Sequence, residues 1–173
     1  MRGRAVSLPP VEMKVTAETA AWVEANEAYF GSMGADQITA VIAYWREAAA
    51  QKTGRDDIEF AAAFQRHYTK RGTGLPPNFA IAVTAAEVLA FTFNPRNAGH
   101  PTVVSDDQFK KQKATWPRSS VRFGETETGP LAYGMTLHVA GRDPVPCRAP
   151  KLPNNPAAAY AVATLGGELP VRS

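Results

Sequence analysis

The densest run of chemically active side chains lies between Phe109 and Phe123. Five cationic residues occur there with no carboxylate among them: Lys110, Lys111, Lys113, Arg118 and Arg122. Trp116 lies within the same run, and aromatic rings among cations can stack on bases while the cations hold phosphates. The same side chains suit anionic lipid headgroups, where each cation contributes about 1 kcal/mol. The five cations and Trp116 are therefore the candidate anion-binding site. The interpretation we favour for this run is nevertheless structural, with Trp116 and Phe123 in the core and Lys110, Lys111 and Lys113 on a solvated face.

The histidines and the single cysteine form no metal or nucleophile motif. His67, His100 and His138 are far apart in the sequence, whereas a zinc site needs several ligands at close spacing. Cys147 could act as a nucleophile paired with His138 or His100, but a lone cysteine in an apolar strand usually belongs to the core. We predict no catalytic residue, no metal and no cofactor.

Two groups of carboxylates could serve acid–base chemistry, one at residues 56–59 and one at residues 106–107. Both precede segments predicted to be helix or turn, where acidic side chains commonly act as N-terminal caps. We therefore favour the capping interpretation. The glycines at Gly72 and Gly74 are followed by Leu75-Pro76-Pro77, without the lysine or the helix start of a phosphate-binding loop.

Length and composition restrict the class of protein. The chain has 173 residues, which is the size of one domain or of a small domain with an appendage. Its 45% apolar and 20% charged residues exclude disorder over most of the chain, and its single cysteine excludes a disulfide scaffold. The net charge of +3 is too small for a dedicated polyanion binder and supports a local basic patch at most. Without an apolar run of about 18 residues, no membrane-spanning helix is expected, and we predict a cytoplasmic protein, with peripheral membrane association as an option.

The sequence pattern of the first half of the chain predicts helices. Residues 1–14 contain Pro9-Pro10 and are predicted to be a flexible arm. Apolar residues at helical spacing, with capping residues before them and glycines after them, predict three helices, at 17–30, 37–51 and 57–70. We therefore predict a helical extension over residues 15–71.

The second half changes to alternating apolar residues, which is the pattern of strands. Segments 79–83 and 88–93 predict a hairpin, although one alanine-rich helix over 80–90 remains an alternative. Further strands are predicted at 102–104, 112–116, 120–124 and 131–139, with a short edge strand at 145–148. A last helix at 157–165 is placed to close the open end of such a sheet.

The segment Ile81-Ala82-Val83-Thr84 is followed after three residues by Val88-Leu89-Ala90-Phe91, and Trp116-Pro117-Arg118 leads into a later strand. With the order of the elements, these residues resemble the bacterial branches of the pleckstrin-homology superfold, the PH-like and GRAM-like domains. The resemblance covers residues 75–168. It implies an antiparallel β-sandwich or barrel with a C-terminal capping helix, and a binding role without a catalytic centre. The connecting turn here is Ala85-Ala86-Glu87, so the basic turn residues that bind phosphate in lipid-binding members are missing.

Together these patterns predict an α+β protein in which N-terminal helices precede a PH-like β domain. The favoured function is that of a non-catalytic binding or scaffold protein, with a protein partner or self-association, and with anionic lipid or nucleic acid as further candidate partners. One alternative is a small enzyme with a pocket between helices and sheet, for which Tyr133, His138, Arg122 and Asp143 are the polar groups of interest. Another is a nucleic-acid accessory protein that uses the basic segment 110–122.

Overall fold

The computed structural model describes residues 15–66, 74–95, 104–129, 132–149 and 152–170. Helix α1 spans Ala17–Asn26 and continues as a 3-10 turn over Glu27–Phe30, and helix α2 spans Ala35–Thr53. The hydroxyl of Thr16 caps α1 by accepting a hydrogen bond from the backbone N–H of Thr19 at 3.1 Å. Gly54 ends α2 in the left-handed conformation, which glycine adopts without steric cost. The first two predicted helices are therefore confirmed.

Seven strands and a third helix follow. The strands are β1 (Phe60–Arg66), β2 (Asn78–Val83), β3 (Glu87–Phe93), β4 (Phe109–Pro117), β5 (Val121–Thr128), β6 (Tyr133–Val139) and β7 (Val145–Ala149). Helix α3 spans Pro156–Thr164, and the side chain of Asn155 caps its first turn. The chain is thus an α+β protein with N-terminal helices, a seven-stranded antiparallel sheet and a C-terminal helix, as the sequence predicted.

The sheet has the order β4-β3-β2-β1-β7-β6-β5, and every pair of neighbours is antiparallel. Strands β4 and β5 stand at opposite ends of this order, yet only Arg118–Ser120 connects them. A flat sheet would separate them by about 29 Å, which is further than so short a connection can reach. The sheet is therefore strongly curled. The rings of Phe64 on β1 and Phe123 on β5 meet across its interior, with centroids 5.0 Å apart.

Helix α3 is buried on all sides, from Pro156 to Val162. On one side the ring of Tyr160 packs edge-on against Phe60 of β1, with centroids 5.2 Å apart. On the other side it contacts Trp22 of α1, and its hydroxyl lies 2.9 Å from that of Thr19. The N-terminal helices thus cover the face of α3 that the sheet leaves open.

Helix α2 packs against β1 on the outer face of the sheet, opposite the face that holds Phe60 and Phe64. The outward residues there are small, because Ala61 pairs with Ala82 and Ala63 with Ala80. Small side chains let the helix approach the strands closely. Beyond this contact Trp45 stacks on Phe93 of β3, with centroids 5.5 Å apart.

The structure confirms some of the detailed predictions and contradicts others. The hairpin at 79–83 and 88–93 is confirmed, and the single helix over 80–90 is excluded. The third helix, at 57–70, is wrong, because Phe60–Arg66 is strand β1 and pairs with β2. The strand predicted at an edge around 145–148 is internal, since β7 lies between β1 and β6.

Other predictions fall on parts of the chain that the structure does not describe. The predicted arm at 1–14, His67 and His100 lie outside the described residues, as do Thr102 and Val103 of the strand predicted at 102–104. Val104 is described and belongs to no strand. No helix in the described part of the chain is both long and apolar enough to cross a membrane.

Candidate functional site

A groove of about 360 Å³ runs along the outer face between the end of α2 and the strands β3 and β4. We call it the lysine groove. Its cationic walls are Lys52 and Arg55 on one side and Lys110 and Lys111 on the other. Its floor contains Leu89 and Phe91 of β3, both 2% exposed. None of the described carboxylates lines it. It forms where α2 ends and leaves the outer face of β3 and β4 uncovered.

The three lysines of β4 occupy irregularities in its pairing with β3. Phe93 pairs with Phe109 and Phe91 with Gln112, so Lys110 and Lys111 together face the single residue Thr92. Lys113 is likewise an extra residue, because Ala90 pairs with Ala114. Such bulges bend a strand and redirect its side chains. As a result residues 110–113 are all exposed, whereas a regular strand on this sheet would bury every second one.

The lysines of this groove are free of ion pairs within the described part of the chain, but Arg55 is not. Arg55 donates two hydrogen bonds to the carboxylate of Asp57, at 2.8 and 2.7 Å, and a third to Glu87 at 3.3 Å. The hydrogen bond from Arg55 holds the pKa of Asp57 below its usual range. The uncompensated positive charge of the groove therefore comes from Lys52, Lys110 and Lys111.

A second and larger depression, of about 740 Å³, lies between α2 and the turn from β2 to β3. We call it the polar cleft. Its charged lining consists of Arg46, Arg55, Glu47, Asp56, Asp57, Glu59 and Glu87. Arg55 lines both depressions, so the two are neighbours on one surface. Several of these charged side chains form ion pairs. Arg55 bridges Asp57 and Glu87, and Glu59 pairs with Arg118 at 2.7 Å.

Two residues of the predicted anion site are packed into the fold. Trp116 is only 7% exposed and pairs with Val88, so little of its ring is accessible from solvent. Arg118 donates to Glu59 and to the carbonyl oxygen of Thr84 at 2.9 Å, and its guanidinium lies 5.6 Å from the ring centre of Phe60. It therefore ties the connection between β4 and β5 to the start of β1 and to the β2–β3 turn.

Arg122, the remaining predicted site residue, lies on β5 and pairs with His138 of β6. Its guanidinium lies over Gly124, where a Cβ would come within 2.7 Å of it. The Nε2 atom of His138 donates to a carboxylate oxygen of Glu125 at 2.5 Å. Glu125 has a φ of 49°, in the left-handed region, at a bulge of β5. Arg122 and Glu125 are exposed and His138 is half-buried, and none of the three lines the lysine groove.

The four polar residues considered for an enzyme are not brought together. Arg122 and His138 are neighbours, but Tyr133 lies at the other end of β6 and pairs with Thr128. Asp143 is exposed in the turn between β6 and β7. Cys147 is buried on β7, and burial raises the pKa of its thiol to about 12, so it is not an activated nucleophile.

The sequence thus indicated one wall of the lysine groove and missed the other. Lys110 and Lys111 were found because they are adjacent in sequence. Lys52 and Arg55 come more than fifty residues earlier, and only the packing of α2 beside β4 brings them near. Within the described ranges, no three of His, Cys, Asp and Glu are grouped so that they could hold a metal ion. No protein-family model matches this chain, and no curated protein shows significant similarity to it.

Proposed function

We propose that this chain is a non-catalytic binding protein that engages an anionic partner through the lysine groove. The observation that carries the proposal is the convergence of Lys52, Lys110 and Lys111 around an apolar floor, with no acidic residue among the described ones that line the groove. Exposed lysines on bulges also protect an edge strand from aggregation. That role explains the lysines of β4, but it does not explain why the end of α2 contributes Lys52 to the same groove.

We also propose that the β domain is related to the PH-like and GRAM-like domains. What supports this is the order of the strands, which runs as in a barrel opened between β4 and β5, together with a helix after the last strand. A cytoplasmic location, with access to an anionic membrane surface, is part of the proposal. The β2–β3 turn contains no basic residue, so the proposed contact is the lysine groove and not that turn.

The test compares two variants that change the net charge equally. Lys110→Glu reverses a cation of the groove, and Arg142→Glu reverses an exposed cation in the β6–β7 turn. Retention is measured on phosphatidylserine vesicles, on polyglutamate and on a single-stranded oligonucleotide, at low and at raised salt. The proposal expects that at least one of these three probes retains the natural chain and the Arg142→Glu variant but does not retain the Lys110→Glu variant. Retention should also fall as the salt concentration rises. Retention on none of them, or equal loss in both variants, would overturn it.

A small enzyme remains a second candidate because the polar cleft lies between helix and sheet. Its volume of about 740 Å³ is in the range of small-molecule sites. The mutual ion pairs of its side chains weigh against a catalytic role, since they leave few groups free for a substrate. The candidate is tested by screening small metabolites for thermal stabilisation of the natural chain and of a Glu59→Gln variant. A ligand that stabilises the former and not the latter would support it.

A further inference from the structure

The two terminal strands of the sheet, β4 and β5, differ in whether another segment covers their outer edge. On β5 the backbone N–H of Phe123 donates to the carbonyl oxygen of Leu165 at 2.9 Å. Gly167 lies so close to this strand that a Cβ there would be 3.2 Å from the Cβ of Phe123. The turn after α3 therefore covers the edge of β5 at Phe123.

In the described part of the chain, no such cover lies on strand β4. Among the described elements, β3 is the one with which it makes extensive contact. It is nine residues long. The bulges at its lysines interrupt it, and the regularly paired part, Ala114 to Pro117, corresponds to about 13 Å of extended chain. A free strand edge offers a row of backbone donors and acceptors, and proteins use such edges to bind extended peptides as an added strand.

We propose that β4 binds an acidic, extended segment of another protein by strand addition. This inference rests on the proposed function and names both the partner and the mode of binding. Charge complementarity selects the partner. Lys110, Lys111 and Lys113 line the strand without ion-paired partners in the described part of the chain, and carboxylates on an added strand would pair with them. A second copy of the chain is disfavoured, because joining two β4 strands would place lysines beside lysines, and like charges opposite one another are destabilising.

The probe is a synthetic peptide in which glutamate and valine alternate. Two matched peptides carry the same charges but are N-methylated, one at every glutamate and the other at every valine. In an added strand alternate residues direct their N–H groups toward β4. The proposal therefore expects one methylated peptide to lose binding by about tenfold or more and the other to keep it. Lys110→Glu should weaken binding of the parent peptide by about fivefold, because repulsion replaces a cross-strand attraction, and Arg142→Glu should not.

Amide hydrogen exchange on the natural chain gives an independent measurement. Bound peptide should slow exchange at amides of β4 and leave those of β5 unchanged, because the edge of β5 is already covered. If both methylated peptides bind as tightly as the parent, and all three lose binding in Lys110→Glu, strand addition is wrong while anion binding by the groove stands. If the parent peptide does not bind, the inference is overturned, and vesicle and oligonucleotide retention still decide the proposed function.

Discussion

At the scale of single residues, burial decides which groups can react. Cys147 is 3% exposed on β7, where it pairs with Met135. An exposed thiol has a pKa of about 8.5, whereas burial raises the pKa of Cys147 to about 12. A thiolate is the reactive form. In the folded protein the thiol of Cys147 is therefore unreactive at neutral pH.

We predict that Cys147 does not react with a disulfide reagent such as Ellman's reagent at about pH 8 while the protein is folded. In denaturant the same thiol should react at once, because its pKa returns to the ordinary value. The absorbance of the released chromophore measures both rates. Rapid modification of the folded protein without loss of its circular dichroism would contradict the assignment of Cys147 to the core.

A second prediction concerns the pair formed by Glu125 and His138. The hydrogen bond from His138 holds the pKa of the Glu125 carboxyl below its usual range. His138→Ala should raise that pKa toward its ordinary value, and Arg142→Ala, in the distant turn, should leave it unchanged. A carboxyl whose folded pKa is depressed stabilises the fold above its unfolded pKa, and this contribution disappears as pH falls through the folded pKa.

NMR titration of the Glu125 side chain measures this pKa directly. Chemical denaturation across the acidic range then checks the linkage to stability. The stability difference between the natural chain and His138→Ala should shrink as pH falls. An unchanged Glu125 pKa in His138→Ala would show that the hydrogen bond is not maintained in solution.

The left-handed φ of Glu125 could not be predicted from the sequence, since the neighbouring Gly124 is the residue that ordinarily takes such a position.

At the scale of elements, strand β1 shows why one prediction was wrong. Its sequence, Phe-Ala-Ala-Ala-Phe-Gln-Arg, combines alanine, a strong helix former, with aromatic residues at helical spacing. The alternation that marks a strand is hidden, because both faces are buried and the outward positions hold Ala61 and Ala63. The hairpin of β2 and β3 was predictable because β-branched and aromatic residues alternate there with small ones.

The small outward residues of β1 and β2 lead to a third prediction. Ala61 is buried on β1, the strand that α2 covers, and pairs with Ala82. We expect Ala61→Leu to lower the free energy of unfolding by about 1–3 kcal/mol, because extra volume there must displace the helix. Ala85→Leu adds the same atoms at an exposed turn position and should change stability by no more than about 0.5 kcal/mol. Urea denaturation of both variants measures the difference, and equal midpoints would show that α2 is not closely packed there.

At the scale of the whole molecule, α3 connects all the layers. The sequence predicted a last helix that closes the open sheet, and α3 does pack against β1 and β5. It could not reveal that the helix is also covered from outside. A helix that is apolar all round belongs in the interior, and α3, with Ala157, Ala158, Tyr160 and Val162 all buried, satisfies that condition only because α1 and α2 enclose it.

This enclosure leads to the last prediction, that residues 55–173 do not fold without the two N-terminal helices. Their removal takes Trp22 and Thr19 away from Tyr160, and Trp45 away from Phe93. It also exposes the outer alanines of β1 and β2, a contiguous apolar surface that promotes aggregation. We expect the shortened chain to elute as aggregate and to give an NMR spectrum with poor amide dispersion, while the full chain is well dispersed. A monomeric shortened chain with a dispersed spectrum would mean that the sheet and α3 form an autonomous domain and that the helices are an appendage. Because such a domain lacks Lys52 of the lysine groove, it should then bind polyglutamate more weakly than the full chain.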